Sequence, residues 1–192
     1  MTVLNTERMI LRDWQAADRP LFAQMNADPQ VMEFMPAILS SSESDLLMDK
    51  IKNHIQRHGF GLFAAELSAS ESFIGFIGLA IPSFHAAFTP CVEVGWRLSA
   101  VHWGKGLATE GAREVVRYAF GVLGLDELVS FTAPANIRSR RVMEKLGMTH
   151  DPADDFDHPK LADGHALRRQ VLYRLKTPLY RSEAGSLPKM LC

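Results

Sequence analysis

The chain has 192 residues, of which 47% are hydrophobic and 22% are charged, and its formal net charge is −1. These values are typical of one globular domain and argue against a general nucleic-acid or membrane-binding surface. Cys91 and Cys192 do not indicate a disulfide framework, and residues 1–13 lack the basic and apolar pattern of a signal peptide. We therefore expect a cytoplasmic protein with no membrane or nucleic-acid partner.

Hydrophobic periodicity and turn residues predict one domain over residues 1–180 and a flexible tail over residues 181–192. Its elements follow the order β-α-α-β-β-β-α-β-α-β. They are strand 6–13, helices 16–27 and 43–58, strands 59–67, 73–81 and 92–99, helix 106–122, strand 127–133, helix 136–146 and strand 166–176. A meander, a crossover, a further helix and a last strand predict an α+β fold on a mixed central sheet of about six to seven strands.

Two features of the N-terminal half allow a structural or a functional interpretation. Met32, Phe34 and Met35 are either core residues or the edge of a pocket, and the tendency of such side chains to be buried favours the core. His54 and His58 have the i, i+4 spacing of metal ligands. No third ligand accompanies them, so we expect a solvated polar face and no metal.

The segment from Gly104 to Thr109 joins a predicted strand to a predicted helix. The first amides of a helix have no internal partner and the helix dipole adds positive charge there, so this turn predicts an anion site. Gly104 and Gly106 allow a diphosphate to approach bare backbone. The pattern G-x-x-x-x-G-K-[ST] is missing, and Thr109 replaces the last glycine of a dinucleotide fingerprint, so a different diphosphate ligand is expected.

Residues 103–110 read WGKGLATE. This segment resembles the [QR]-x-x-G-x-[GA] motif of the GNAT superfamily of acyl-CoA-dependent N-acyltransferases, with Trp103 in place of Gln or Arg. That departure is familiar in the branch similar to the ribosomal-protein-alanine N-acetyltransferases. The predicted element order also resembles the GNAT fold, up to about residue 176. The resemblance implies acetyl-CoA as the acyl donor, with no metal, and it implies these donor-binding residues: Leu98, Trp103, Gly104, Lys105, Gly106, Leu107, Ala108, Thr109, Asn136 and Ser139.

Residues 136–148 resemble the second motif of the family, N-x-x-S…E-K-x-G-[FM]. Asn136 is implied to bind the pantetheine amide of CoA, although an N-cap is a role that Asn also favours. Ser139 is implied to protonate the leaving thiolate or only to position it. Four nearby cations either meet CoA phosphates or form a solvated basic face; they are Arg138, Arg140, Arg141 and Lys145.

The resemblance also implies that the strand ending near Leu98 splays from the strand over residues 127–133. The Leu98 amide then donates to the thioester carbonyl and stabilises the developing oxyanion. Strand alternation places Glu93 and Arg97 on the face opposite Leu98. Glu93 is either a general base that acts through water or a structural partner of a cation such as Arg97 or Arg168.

Residues 151–165 contain five aspartates and two histidines, without the spacing of a calcium loop. They form either a loop whose charge attracts a cationic amine to the acceptor pocket or a solvated loop with no role. Tyr173, in the last predicted strand, is expected in the core.

These features predict an N-acetyltransferase whose acceptor amine attacks acetyl-CoA directly in a ternary complex, since no nucleophile elbow or triad pattern is present. The expected acceptor is a protein or peptide N-terminus. A small-molecule amine acetyltransferase and a non-catalytic acyl-CoA-binding or sensing domain are the alternatives. The sequence leaves the oligomeric state open, with a homodimer among the options.

Overall fold

The computed structural model of the chain describes residues 3–177, so the tail predicted over residues 181–192 lies outside the described part. The helices are α1 (Arg19–Ala27), α2 (Ser41–His58), α3 (Leu107–Gly121) and α4 (Ile137–Lys145). The strands are β1 (Leu4–Asn5), β2 (Met9–Arg12), β3 (Leu62–Leu67), β4 (Ser72–Ala80), β5 (Glu93–Leu98), β6 (Glu127–Thr132), β7 (Thr149–His150), β8 (Phe156–Asp157) and β9 (Arg169–Lys176).

One mixed sheet organises these elements, in the strand order β1-β2-β3-β4-β5-β6-β9-β7, with β8 paired to β9. Every pairing is antiparallel except that of β5 with β6, which α3 connects as a crossover. The α+β class and the order of the ten long elements are confirmed. The three strands that the sequence did not indicate, β1, β7 and β8, have two residues each, which is too short to show a hydrophobic period.

The sheet separates two apolar clusters. One lies against α3 and α4 and includes Val94, Leu98, Val115, Val116 and Leu128. The other lies under α1 and α2 and includes Trp14, Phe22, Met48, Phe73 and Phe76. The central strands are therefore covered by a helical layer on each face, which fixes their position in the fold.

The α2 helix has strong signals at both ends. Ser40 and Glu43 form a reciprocal capping box at its start, and Gly59 ends it in the left-handed conformation, with φ of 75°.

No helix within residues 3–177 combines the length and the apolar character needed to cross a membrane.

The strands β5 and β6 pair only where they begin. Their parallel register within the described residues is the single pair Glu93–Val129, and the Val129 N–H donates to the Val92 carbonyl at 2.9 Å. Beyond this pair the two strands diverge, so the cleft-facing edge of β5 lies open toward its C-terminal end. This opening is the predicted splay, and it lies directly before the segment from Gly104 to Thr109.

Candidate active site

A cavity of about 350 Å³ occupies the space beyond the divergence of β5 and β6. All the predicted donor-binding residues line it except Lys105, whose side chain is exposed. The structure therefore brings the two sequence motifs, which are separated by the whole of α3 and β6, to one site. Glu93 does not line the cavity and lies at the closed end of the strand pair.

The turn before α3 has the backbone geometry of an anion site. Gly104 and Gly106 adopt the left-handed conformation, with φ of 73° and 80°, which side chains rarely tolerate. Gly106 is the N-cap of α3 and provides no side-chain cap. The first amides of α3 therefore face the cavity without a capping side chain, at the positive end of the helix dipole.

The pairing of β4 and β5 fixes the direction of the Leu98 amide. Ser99 donates its N–H to the Ile74 carbonyl of the neighbouring strand segment at 2.9 Å. Hydrogen-bonding direction alternates along an antiparallel strand, so Leu98 and Trp96 direct their N–H and C=O groups away from β4 and into the cleft. Trp96 is a candidate that the motif analysis did not name, because backbone direction depends on register and not on residue type.

The structure shows what Trp103 does in place of Gln or Arg. Its indole N–H donates to the Leu98 carbonyl at 2.8 Å, and the Arg138 guanidinium carbon lies 4.5 Å from the centre of its ring. Arg138 also forms an ion pair with Glu33 at 2.8 Å. Trp103 therefore connects the end of β5 to the start of α4 across the floor of the cavity.

Asn136 has the structural role that was weighed against ligand binding. Its side-chain oxygen accepts from the Ser139 N–H at 3.2 Å as the N-cap of α4, and its amide nitrogen donates to Thr132 Oγ1 at 2.9 Å. An amide side chain has donor and acceptor capacity beyond these two bonds. Asn136 and Ser139 also line the cavity, so the N-cap does not exclude contact with a ligand.

The four cations near the second motif separate into two groups. Arg138, Arg141 and Lys145 line the cavity. Arg140 instead donates to the Tyr173 hydroxyl at 3.2 Å and to the Pro134 carbonyl at 3.1 Å. Tyr173 is buried, as expected of a core residue. The candidates for contact with the CoA phosphates are therefore Arg138, Arg141 and Lys145, and Arg140 is no longer among them.

Glu93 is a partly buried carboxylic acid at the start of β5. Burial raises the pKa of Glu93 to about 8. The two cations proposed as its structural partners are engaged elsewhere: Arg97 donates to Asn26 and Met35, and Arg168 pairs with Asp157 and Asp163. A neutral acid at pH 7 that becomes a base slightly above that pH has the acidity that proton transfer from an amine needs.

The apolar segment after α1 has a divided role, which corrects the expectation that it belongs to the core. Met32 is buried, with 5% of its surface exposed. Phe34 and Met35, together with Val31, line the cavity and are half-buried. Residues 29–34 form a continuous run of turns, which places these side chains on different sides of the segment in a way that periodicity alone does not reveal.

The acidic segment over residues 151–165 contacts basic side chains that lie outside it. Asp154 pairs with Arg174 at 2.6 Å and Asp155 with His150 at 2.7 Å, while Asp157 and Asp163 face Arg168. None of residues 151–165 lines the cavity. The interpretation as an attractor for a cationic amine beside the pocket was therefore wrong in position, and much of this charge faces Arg168 and Arg174, which lie outside the loop.

The His54 and His58 rings do not form a fully solvated face. They lie 4.5 Å apart, and His54 packs on Phe60 at 5.8 Å. Burial, together with the neighbouring His58, lowers the pKa of His54. In the part of the chain that the structure describes, no group of three or more His, Cys, Asp or Glu side chains is arranged to hold a metal ion.

Sequence analysis missed the contact that anchors the cavity turn. Glu110 accepts from Thr6 Oγ1 at 2.7 Å and from the Arg8 backbone N–H at 2.8 Å, and it forms an ion pair with the Arg8 side chain at 2.6 Å. Arg8 also donates to the Lys105 carbonyl at 3.0 Å. The partners are about a hundred residues apart in sequence, so no local pattern indicates them.

We expect Glu110→Gln to lower the free energy of unfolding by about 1–2 kcal/mol at neutral pH, since it breaks a charge-assisted network. Burial opposes the ionisation of Glu110, but hydrogen bonds from Thr6 and Arg8 outweigh it and lower its pKa. This stability is therefore complete above the usual pKa of 4.5 and is lost as pH falls below it. Urea unfolding against pH measures the effect, with the exposed Glu7→Gln as control. A difference from the parent that does not diminish in acid would contradict the assignment.

Comparison with known proteins agrees with this geometry. The family model described as Acetyltransferase (GNAT) domain matches residues 8–149. An FsC-acetyl coenzyme A-N(2)-transacetylase from Aspergillus fumigatus is 33% identical over 210 residues, which cover 98% of this chain and 88% of that protein. An acetyltransferase from Agrobacterium tumefaciens is 27% identical, with a TM-score of 0.73 and coverage of 91% of this chain and 94% of its own.

Mycobacterium smegmatis RimJ, solved in complex with CoA-disulfide, has a TM-score of 0.73 at 18% identity, covering 96% of this chain and 95% of its own. Identity at this level shows the shared fold alone. The chain belongs to the GNAT acetyltransferase family. It is an acetyl-CoA-dependent N-acetyltransferase, and the resemblance of its two motifs to that superfamily is confirmed.

Proposed function

We propose that the chain transfers an acetyl group from acetyl-CoA to a primary amine carried on a compact, partly apolar body, by direct attack in a ternary complex. The observation that carries this proposal is the open edge of β5, which begins at the Glu93–Val129 pair and leads to the uncapped start of α3. A chain with amide groups can extend the sheet along such an edge, and a diphosphate can meet the helix amides at its end.

The residues of the cavity suit each part of the donor. The amides that follow Gly104 and Gly106 receive the diphosphate, with Arg141 and Lys145 at its side. Asn136 and the cleft-facing backbone of β5 are hydrogen-bond partners for the pantetheine amides. Phosphate groups and helix N-termini are complementary in charge, so these contacts hold the thioester at the divergence of the two strands.

The chemistry at that point requires an oxyanion donor and a base. The amine nitrogen forms a bond to the thioester carbon while the C–S bond breaks, and the cleft-facing amides of Leu98 and Trp96 stabilise the negative charge on the carbonyl oxygen. Such a donor contributes about 3 kcal/mol in other acyl transfers. Glu93, which lies outside the cavity at the closed end of the strand pair, accepts the amine proton through a chain of several waters. Ser139 has one of two roles. It either donates its hydroxyl proton to the CoA thiolate and is reprotonated by solvent, or it positions the thiolate, which then takes a proton from solvent.

The acceptor enters from the side of α1, where Val31, Phe34 and Met35 form an apolar wall. Among the cations that line the cavity, Arg97 has only neutral partners in the described residues and is not assigned to the diphosphate. A polyamine would meet repulsion there, whereas an amine on an apolar body would not. The relative from Aspergillus fumigatus, whose name describes transfer from acetyl coenzyme A to an N(2) nitrogen, supports an amine acceptor.

We expect short peptides with a small first residue to be acetylated at least about tenfold faster than spermidine or an aminoglycoside at equal concentration, because like charge disfavours the polycations. Thiol release from acetyl-CoA measures turnover, and mass spectrometry locates the acetyl group. Faster turnover of spermidine would refute this acceptor class while leaving acetyl transfer intact. Absence of thiol release with every amine would favour a non-catalytic acyl-CoA-binding domain.

A further inference from the structure

Arg97 lies where two cavities meet. The first is the cavity at the divergence of β5 and β6. The second, of about 400 Å³, lies between the start of α2 and the segment over residues 32–39, and its walls include the apolar side chains of Leu39 and Leu47. Arg97 and Met35 line both cavities. The two cavities therefore adjoin at the Arg97 guanidinium.

The guanidinium of Arg97 has only neutral partners in the described part of the chain. It donates to Asn26 Oδ1 at 2.7 Å and to Met35 Sδ at 2.9 Å, and it lies 5.3 Å from the centre of the Phe76 ring. Burial lowers the pKa of Arg97 to about 10, so the group still carries its charge at neutral pH. A thioether is a weak acceptor, and a guanidinium has more N–H donors than these two bonds use.

Another arginine of the same sheet, Arg12, is partly buried as Arg97 is, but it has acidic partners. Arg12 forms ion pairs with Asp18 at 2.8 Å and with Glu66 at 2.7 Å. Glu43 is a carboxylate that lines the second cavity together with Arg97. It accepts hydrogen bonds from the Ser40 N–H and hydroxyl in the capping box of α2 and is therefore not a partner of Arg97. Arg97 is also partly buried but has no carboxylate partner among the described residues. Removing a charge from water is costly unless the charge is paired, so the contrast with Arg12 indicates an anion that is supplied from outside the fold.

We propose that Arg97 binds the carboxylate of the acceptor, so that the acceptor is a compact amino-carboxylate of the amino-acid class. This inference rests on the proposed function and narrows its substrate class, since a free amino acid has the carboxylate that the first residue of a peptide lacks and should therefore be the better acceptor. A carboxylate replaces Met35 Sδ with a bidentate, charge-assisted contact. The apolar wall of the second cavity then receives the body of the acceptor.

The position of Arg97 suits this role. It is the chain neighbour of both Trp96 and Leu98, whose amides face the donor cleft, while its own side chain lies on the α1 and α2 face. A carboxylate on the guanidinium therefore holds the acceptor within a side-chain length of the strand edge at which the amine attacks. The fixed positive charge also disfavours the ammonium form of the acceptor, and only the neutral amine is a nucleophile.

The kinetic test compares leucine, leucinamide and isoamylamine as acceptors, which share one apolar body and differ in the carboxyl group. We expect kcat/KM for leucine to exceed that for leucinamide at least about tenfold in the parent protein, and this ratio to fall to about one in Arg97→Gln, mainly through KM. Arg97→Lys keeps the charge without the planar fork and should give an intermediate ratio. Arg57→Gln, at the exposed end of α2, is the matched control.

Equal use of leucine and leucinamide by the parent, or an unchanged ratio in a folded Arg97→Gln protein, overturns the inference. A binding measurement decides the question independently of turnover. In the presence of saturating coenzyme A, which occupies the phosphate sites, isocaproate should raise the melting temperature of the parent and isocaproamide should not. The shift should vanish in Arg97→Gln and persist in Arg57→Gln.

The two proposals fail in different ways. If no amine releases thiol but isocaproate binds at Arg97, the proposed function is wrong and the carboxylate site stands. If amines are acetylated and isocaproate stabilises Arg97→Gln as much as the parent, the acetyl transfer stands and the carboxylate site is wrong. Should Arg97→Gln fail to fold, the same comparison is made with Arg97→Lys, for which the shift should be reduced.

Discussion

Gly106→Glu should abolish measurable binding of coenzyme A, with Kd rising at least about a hundredfold. The substitution places a carboxylate at the N-cap of α3, where the diphosphate is proposed to bind, and like charges in a partly enclosed site repel strongly. The left-handed backbone at Gly106, with φ of 80°, adds strain for any other residue. Isothermal titration calorimetry measures the affinity, and circular dichroism establishes that the variant is folded.

Two further variants separate charge from strain. Gly106→Asn keeps the strain small, since Asn tolerates the left-handed region, and adds no charge, so we expect it to lose less than about tenfold in affinity. Gly121→Glu makes the same change of residue at the other end of α3, where an added Cβ meets no described atom within 4 Å apart from its chain neighbours and the helix backbone. Undiminished affinity in a folded Gly106→Glu protein would show that the diphosphate lies elsewhere.

Glu93→Gln should reduce kcat/KM about a hundredfold at pH 8.5 while leaving the affinity for coenzyme A nearly unchanged. The parent rate should rise with pH through about 8, because the carboxylate form is the base and burial raises the pKa of Glu93 to that value. In the variant the part of this rise that belongs to Glu93 should disappear, and only the rise that follows deprotonation of the acceptor amine should remain. Glu127→Gln is the control, since Glu127 is the first residue of the neighbouring strand β6 but forms an ion pair with Arg174. A parental pH profile in Glu93→Gln would leave water or another group as the base.

The same residue predicts a change in stability that does not depend on catalysis. The pKa of Glu93 is raised on folding from 4.5 to about 8, so its contribution is complete below pH 4.5 and is lost as pH rises through about 8. Glutamine has no such dependence. The melting temperature of Glu93→Gln should therefore equal that of the parent near pH 4.5 and exceed it by at least about 3 °C at pH 9. A constant difference across this range would indicate that Glu93 is solvated.

The sequence predicted the donor side of the site better than the acceptor side. The donor side depends on backbone: glycines at 104 and 106, a helix start, and the N-cap residue Asn136 have local signatures that hold in any surroundings. Side-chain neighbours that come from distant elements have none. Arg97 illustrates this limit, since its partner Asn26 lies on α1 and the second cavity lies beside α2. Strand alternation predicted the face of the sheet on which the Arg97 side chain lies, but not the residues that surround it there.

Paired charges explain the main error on the acceptor side. From composition alone, residues 151–165 are strongly acidic, and a net charge of that kind predicts attraction of cations. The arginines that neutralise it, Arg168 and Arg174, come from the connection before β9 and from β9 itself. The segment after α1 shows a second limit of composition. Met32 and Met35 are the same type of residue, but only Met32 is buried.

The contact of Arg8 with Glu110 and with the Lys105 carbonyl ties the first strands of the chain to the turn that precedes α3. These strands stand at the edge of the sheet, far from the cavity along the chain, and in an engineering project they would be the natural place for a peptide fusion. A fusion partner that pulls on residues 6–8 would act on the turn before α3 through this arginine. Variants of the enzyme made for biotechnology should therefore carry their added segments elsewhere.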